Sequence, residues 1–306
     1  MPGRVSGHAL TLDVGGSHVT AAVVSLAQRQ FEAHARRNLP HTAPLNTLMD
    51  GWMGAALEAL GSRPQDLGLS HLGIAVPGPF DTLKGVSLMT HKFAALYGVP
   101  LLPLLMKRLS GTPLEALPIR FGNDADLFAL GEGWAGAGRG SERLIGLTLG
   151  TGLGSGFVEH GRAVVGGPRV PPGGELWSVP WGNGVCEDLA CGATLTRAWQ
   201  RATGVLISAR ALADLAASGD ERALAVFRDF GTGLAGIVAP WAERFGAQRV
   251  VLGGSVSHAF GLFGPAVQSE LTARGLAGCR VLVSEHFEGA GLLGAAALGL
   301  ENRASG

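Results

Sequence analysis

The sequence predicts an α/β protein of two duplicated halves, each a mixed sheet flanked by helices, arranged around a cleft. Three observations lead there. Residues 10–19 and 147–156 are glycine-broken hairpins of the same shape: an apolar or alternating strand, a tight glycine turn and a second strand. The first three strands are joined by short turns, whereas the later ones alternate with helices, so a meander gives way to crossover connections. Glycine supplies 49 of the 306 residues and is spread through turns with no collagen-like period.

Taken in order, strands at 8–14, 18–25 and 31–38 form the antiparallel meander. A helix at 45–60, a strand at 71–76 and a helix at 100–109 follow. A short strand at 118–122 passes through Asn123 into a helix at 124–137. That junction is the expected hinge, giving a smaller N-terminal domain of 1–122 plus 289–306 and a larger one of 123–288. Strands at 143–150 and 154–160 make the second hairpin. Residues 161–185, rich in Gly, Pro and Trp, read as an ordered functional loop, since long loops without periodicity are uncommon otherwise. Helices at 186–202, 207–218 and 221–245, a strand at 248–253, a helix at 259–274 and a strand at 279–284 complete the second half. The small-residue helix at 289–300 can pack closely and is expected to return to the first half.

Composition excludes several function classes. Lys+Arg and Asp+Glu both number 24, and no basic run offers a footprint for nucleic acid or an anionic membrane. No stretch reads as apolar enough to span a bilayer, and residues 1–4 lack a signal-peptide core. Cys186, Cys191 and Cys279 are too few and scattered for a disulfide framework, so a cytoplasmic setting is expected.

The two glycine turns can each expose several backbone N–H groups on one side and so cradle an anion. Gly15, Gly16 and Ser17 form the first, and Gly150, Thr151 and Gly152 the second. Asp13 ends a strand just before the first turn, where a carboxylate can hold Mg2+ through water. An aspartate that caps a hairpin has the same local sequence. Asn123-Asp124-Ala125-Asp126 opens a helix at a strand end. One carboxylate there can accept a proton from an attacking hydroxyl, while ordinary capping accounts for the same residues. The strand ending in Gly253-Gly254 allows backbone approach to a nucleotide, or is a plain strand-to-loop turn. Glu175 and Glu187 can accept from sugar hydroxyls, or be solvated surface residues. His18 and His160 lack metal-ligand partners at useful spacing, and Cys186 and Cys191, separated by four residues on one expected helix, read as thiols without a zinc.

Seven segments, in order, resemble the ROK family of sugar kinases and repressors within the actin-like ATPase superfamily. They are Asp13-Val-Gly-Gly-Ser17, the stretch from Gly73 through Gly78 to Asp81, Asn123 to Glu132, Leu149 to Gly156, Gly174-Glu175, Glu187 to Gly192, and Leu252-Gly-Gly-Ser255. The resemblance covers about residues 8–300 and implies a two-domain actin-like ATPase (ribonuclease H-like) fold. It further implies ATP-dependent, glucokinase-like phosphorylation of a hexose. Asp124 would be the general base. Gly15, Gly16, Ser17, Gly150, Thr151 and Gly152 would bind the ATP phosphates, Asp13 would position Mg2+, and Gly253 and Gly254 would approach the adenosine. Gly78, Asn123, Asp124, Glu175 and Glu187 would orient the sugar, closure would exclude water, and a homodimer is usual among similar proteins.

Three departures stand out. The family's zinc pattern has a His three residues after the Glu of Gly-Glu and then a cysteine cluster. Ser178 stands at the His position and the cluster is missing, so a zinc-free member is expected. That His also touches the sugar in hexokinase-active members, which leaves sugar choice open. Met89-Thr90-His91-Lys92 replaces a Pro-Asn sugar contact, and Ser17-His18 replaces Thr-Lys while retaining a hydroxyl. The alternatives are a kinase for another hexose or an N-acetylhexosamine, polyphosphate as donor, and a non-catalytic sugar sensor. Repressors of the family carry a DNA-binding domain ahead of the first hairpin, and this sequence has only about seven residues there.

Overall fold

The computed structural model describes residues 7–61, 67–90 and 92–300. They form two compact units. Unit 1 takes the chain up to Ala135 and again from Glu288, and unit 2 takes Gly136–Phe287.

In unit 1, β1 (His8–Val14), β2 (His18–Ser25) and β3 (Gln30–Asn38) make the antiparallel meander, with Val14 opposite Val19 at the first turn. After α1 (Leu45–Leu60) the chain returns as β4 (Leu69–Val76), parallel to β1. A small hairpin, β5 (Phe80–Asp81) with β6 (Val86–Ser87), and α2 (Leu101–Leu109) precede β7 (Ile119–Asn123). β7 lies parallel to β4 and runs directly into α3 (Asp124–Ala135), so the sheet order is β3-β2-β1-β4-β7.

Successive strand side chains alternate between faces. Leu10, Leu12, Val19, Ala21 and Val23 therefore share one face and pack with Met49, Trp52 and Met53 of α1. Full burial of a leucine such as Leu10 or Leu12 contributes about 1.5–3 kcal/mol. Ala9, Ala22 and Val24 share the other face, with Leu292, Leu293 and Ala296 from the C-terminal segment. Asp13 has the parity of Ala9 and so belongs to this second face.

Unit 2 repeats the plan. β8 (Arg143–Leu149) and β9 (Leu153–Glu159) form the second glycine hairpin, extended by β10 (Arg162–Ala163). The long loop carries a two-stranded ribbon, β11 (Pro180–Trp181) and β12 (Gly184–Val185), and ends in a 3-10 turn at Cys186–Leu189. Then come α4 (Gly192–Thr203), α5 (Ala209–Ala217), α6 (Glu221–Phe245), β13 (Arg249–Gly253), α7 (Phe260–Ala273) and β14 (Arg280–Val283). The sheet order is β10-β9-β8-β13-β14, with β8, β13 and β14 parallel. Phe157, Phe227, Phe245 and Phe263 are buried in its core.

The last helix, α8 (Ala290–Ala297), belongs to unit 1 as the small-residue pattern predicts. A Cβ on Gly131 of α3 would run into the carbonyl oxygen of Ala290, and one on Gly294 into that of Leu127. These helices touch backbone to backbone, where only glycine fits.

Three expectations are corrected. The helix expected at 186–202 is broken: Cys191 is extended (φ −135°, ψ 170°) and α4 starts at Gly192. The cause is tertiary, because the Gly192 N–H donates to Gly150 O (2.9 Å) at the second glycine turn. Cys186 and Cys191 therefore share no helix face. Second, α3 lies in unit 1, where an expected division after residue 122 would put it in the other half, and the two units are nearly equal in size. Its packing on α8 holds it there. Third, α6 is long and apolar enough, by length and composition, to cross a bilayer. It serves as the core helix of unit 2, with Phe227, Leu234, Ile237 and Val238 buried.

Candidate active site

The candidate residues fall into two groups, one in each unit. In unit 1 the sheet register assembles the group. Asp13 of β1 lies beside Ala75 of β4, and Ala75 beside Gly122 of β7. Val76 pairs with Asn123, so the loop bearing Gly78 leaves the sheet at the end where Asp124 begins α3. In open sheets of this kind, ligands bind beyond the carboxyl ends of the parallel strands.

Asn123 caps α3: its Oδ1 accepts from the N–H groups of Ala125 (2.9 Å) and Asp126 (3.3 Å). Asp124 follows as the first residue of α3. Asp124 is exposed, its Oδ1 accepts from the Ala125 N–H (2.8 Å), and the positive end of the helix favours its charge. Asp126 occupies the same first turn.

The first glycine turn closes with the Gly15 N–H donating to His18 O (2.9 Å). The Gly16 and Ser17 carbonyls accept from His41 (2.8 Å) and Leu39 (2.9 Å), which ties the turn to the segment after β3. Asp13 keeps some solvent access but is surrounded by packed atoms. Burial pushes its carboxyl up to about 7, and the charges of Asp124 and Glu288 add to the rise. Asp13 and Glu288 line a cavity of about 540 Å3 with Gly15, His18, Thr20 and Arg36.

In unit 2, Gly150 N–H donates to Gly152 O (3.0 Å) to close the second turn, with Thr151 exposed at its tip. Thr148 pairs with Gly253, so Gly254 emerges against the end of β8. Its φ is +81°, and a Cβ there would lie 2.5 Å from Leu149 O, so both conformation and space require glycine. Glu187 docks on the same turn. Its Oε2 accepts from the Leu153 N–H (2.9 Å) and lies where a Gly152 Cβ would stand. Glu175 accepts from the Trp177 indole N–H (2.9 Å). Its loop is clamped to β9 by Ser155, whose hydroxyl donates to Gly174 O (2.7 Å) and accepts from the Leu176 N–H (2.8 Å).

Asp13, Gly15, Gly16, Ser17, Gly78, Asn123 and Asp124 thus gather in unit 1, and Gly150, Thr151, Gly152, Gly254 and Glu187 around one turn in unit 2. Ser178 and Thr90 are exposed, Met89 is buried, and His91 lies outside the described residues. Sequence reading missed Arg36, Ser155 and Glu288. Only Glu288 left a signal, as an acidic residue just ahead of the Gly-Ala helix. Among the described residues no three His, Cys, Asp or Glu side chains converge as metal ligands.

The sequence matches the ROK family over residues 9–302. The chain belongs to the ROK family. A glucokinase from Thermotoga maritima is 31% identical over 256 residues, covering 74% of this ROK chain and 78% of the relative. An N-acetylmannosamine kinase from Yersinia pseudotuberculosis is 28% identical over 95% of this chain and 97% of its own. The ROK hexokinase from Thermus thermophilus superposes with a TM-score of 0.78 at 25% identity, covering 98% of this chain and all of the other. A Streptomyces griseus ROK glucokinase, solved with glucose and AMPPNP, has the same fold (TM-score 0.72, 24% identity, 95% of this chain and 99% of that one). The ROK chain accordingly has the two-domain actin-like ATPase fold, and its named relatives are sugar kinases.

Proposed function

We propose that this ROK protein transfers the terminal phosphoryl group of ATP to a hydroxyl of a hexose, with glucose as the first candidate and Asp124 as general base. The carrying observation is the alignment of Asp13, Gly78 and Asp124 at one sheet end, with Asn123 rather than Asp124 as helix cap. The Ala125 N–H holds one carboxylate oxygen of Asp124, which orients the group to take the sugar proton as the hydroxyl attacks. Asn123 and Gly78 would orient the sugar at that sheet end, and Glu175 and Glu187 of unit 2 are candidate acceptors for sugar hydroxyls. Glu187 also supports the Gly150–Gly152 turn through Leu153, so in this reading it serves sugar and phosphate contacts at once.

Mg2+ fits the residues present. Burial and the nearby carboxylates of Asp124 and Glu288 disfavour the charged form of Asp13, and a divalent cation offsets that penalty. Mg2+ keeps several waters and takes one or two carboxylates together with substrate phosphates, which suits Asp13 acting through water. The ion would neutralise phosphate charge. Gly15, Gly16 and Ser17, with Gly150, Thr151 and Gly152, would bind the phosphates, and Gly254 would border the adenosine. We extend the reading to a cytoplasmic setting, in keeping with three free, buried cysteines, and, by analogy with similar proteins, to a homodimer.

A second reading, an N-acetylhexosamine kinase, is favoured by the N-acetylmannosamine kinase relative. A coupled ADP-release assay with Mg-ATP over hexoses and N-acetylhexosamines separates the two. Asp124→Asn is expected to lower sugar-dependent turnover by about 10²–10⁴-fold and leave nucleotide binding within twofold. Full activity in that variant removes Asp124 as base. Sugar or ATP binding without turnover points to a sensor or to another donor, polyphosphate among them.

A further inference from the structure

We propose that His18 donates a hydrogen bond from Nε2 to a phosphate oxygen of the phosphoryl donor, and that Arg36 fixes the tautomer this requires. The proposal rests on the kinase reading and adds to it a donor-binding pair.

The register of β2 and β3 sets Arg36 opposite Thr20, one diagonal step from His18 on the same sheet face. Arg36 Nη2 lies 3.3 Å from His18 Nδ1. A guanidinium can only donate, so Nδ1 is an acceptor, the ring is neutral and its proton is on Nε2. The Ser17 hydroxyl, 3.1 Å from the same Nδ1, is compatible with that assignment. Burial and the Arg36 charge also hold His18 below its ordinary range. The donor atom sits over the first glycine turn: a Cβ on Gly15 would lie 3.4 Å from His18 Nε2.

Arg36 is itself held from the far side, with Nη1 3.4 Å from Glu288 Oε2. All three side chains line the 540 Å3 cavity beside Asp13. That cavity offers a metal-binding carboxylate at one point and two nitrogen donors, His18 Nε2–H and the Arg36 guanidinium, near another. A metal-bound polyphosphate group can use both.

The test is KM for Mg-ATP and for sugar, with calorimetric binding of Mg-tripolyphosphate, in wild type, His18→Ala, His18→Gln and Arg36→Ala. Circular dichroism checks that each is folded. His18→Ala is expected to raise KM for Mg-ATP and weaken tripolyphosphate binding about tenfold, the loss of one hydrogen bond to a charged acceptor. KM for sugar should stay within twofold. His18→Gln, whose amide N–H reaches into the same space, recovers most of the loss, and Arg36→Ala reproduces it. If His18→Ala leaves both phosphate readouts within twofold, the proposal falls, whatever the sugar assay gives. His18-dependent tripolyphosphate binding without sugar turnover keeps the proposal and overturns the kinase reading. Absence of both turnover and tripolyphosphate binding in the wild type overturns both.

Discussion

Asp13 and Asp124 stand at the same sheet end, and their surroundings give them different tasks. Asp124 is exposed on a helix N-terminus with its cap supplied by Asn123, so its carboxyl group is accessible. Asp13 is crowded by protein and by two other carboxylates, and its pKa rises from 3.8 to about 7. A pKa raised on folding stabilises the protein at low pH, and that contribution is lost as pH climbs through the folded value. In EDTA, Asp13→Asn should therefore raise Tm relative to wild type at pH 8, with the gain shrinking toward pH 4. The same variant should lose most Mg2+-dependent turnover. A Tm difference independent of pH would show that Asp13 is not strained by its charge. The spacing of Asp13 before Gly15-Gly16 made the residue visible in the sequence. Glu288, distant in sequence, acts on it only through the packing of the C-terminal segment on β1.

Elements carry the next level of decision. The chain segments bracketing each glycine turn were legible because strand alternation and glycine position are local properties. The break between Leu189 and Gly192 was not. Cys186 to Ala202 has no proline and reads as one helix, but bonds to distant segments interrupt it, among them Gly192 N–H to Gly150 O and Leu153 N–H to Glu187 Oε2. Glu159 shows a similar dependence on partners. It closes β9 with Arg143 (2.6 Å) across the hairpin and pairs with Arg169 (2.6 Å) of the long loop. Hydrogen bonds from Arg169 and then Arg143 lower its pKa to about 2 from 4.5. A depressed acid stabilises the fold above its unfolded pKa and loses that contribution as pH falls through the folded value. Glu159→Gln should melt below wild type at pH 7, and the two curves should converge toward pH 2. Equal melting at both pH values would mean that the loop is held without this pair.

At the scale of the whole molecule, the two units repeat one topology on different sequences. Each sets a glycine hairpin on parallel strands and encloses its core with helices. α6 tests how that core is built. Its length and apolar composition alone fit a bilayer span, yet Leu234 is fully buried among Phe230, Ile237 and Val238. Leu234→Asp would bury a carboxylate with no partner, a cost of several kcal/mol. Loss of near-ultraviolet circular dichroism and of sugar-dependent turnover is expected. An intact near-ultraviolet spectrum would show that this face of α6 is not core.

The sequence by itself determined the α/β class, the order of nearly all elements, the family, and most candidate residues. Those properties reside in local periodicity, glycine placement and short motifs, which need no knowledge of distant neighbours. Tertiary structure decided the rest. It put α3 with α8 because Gly131 and Gly294 admit a backbone contact, and it broke the helix before Gly192. It also set Glu187 on the second turn and joined Arg36 to His18 and Glu288. Each of these depends on contact between segments far apart in the chain, so side-chain reach and sheet register, rather than residue type, fix the outcome.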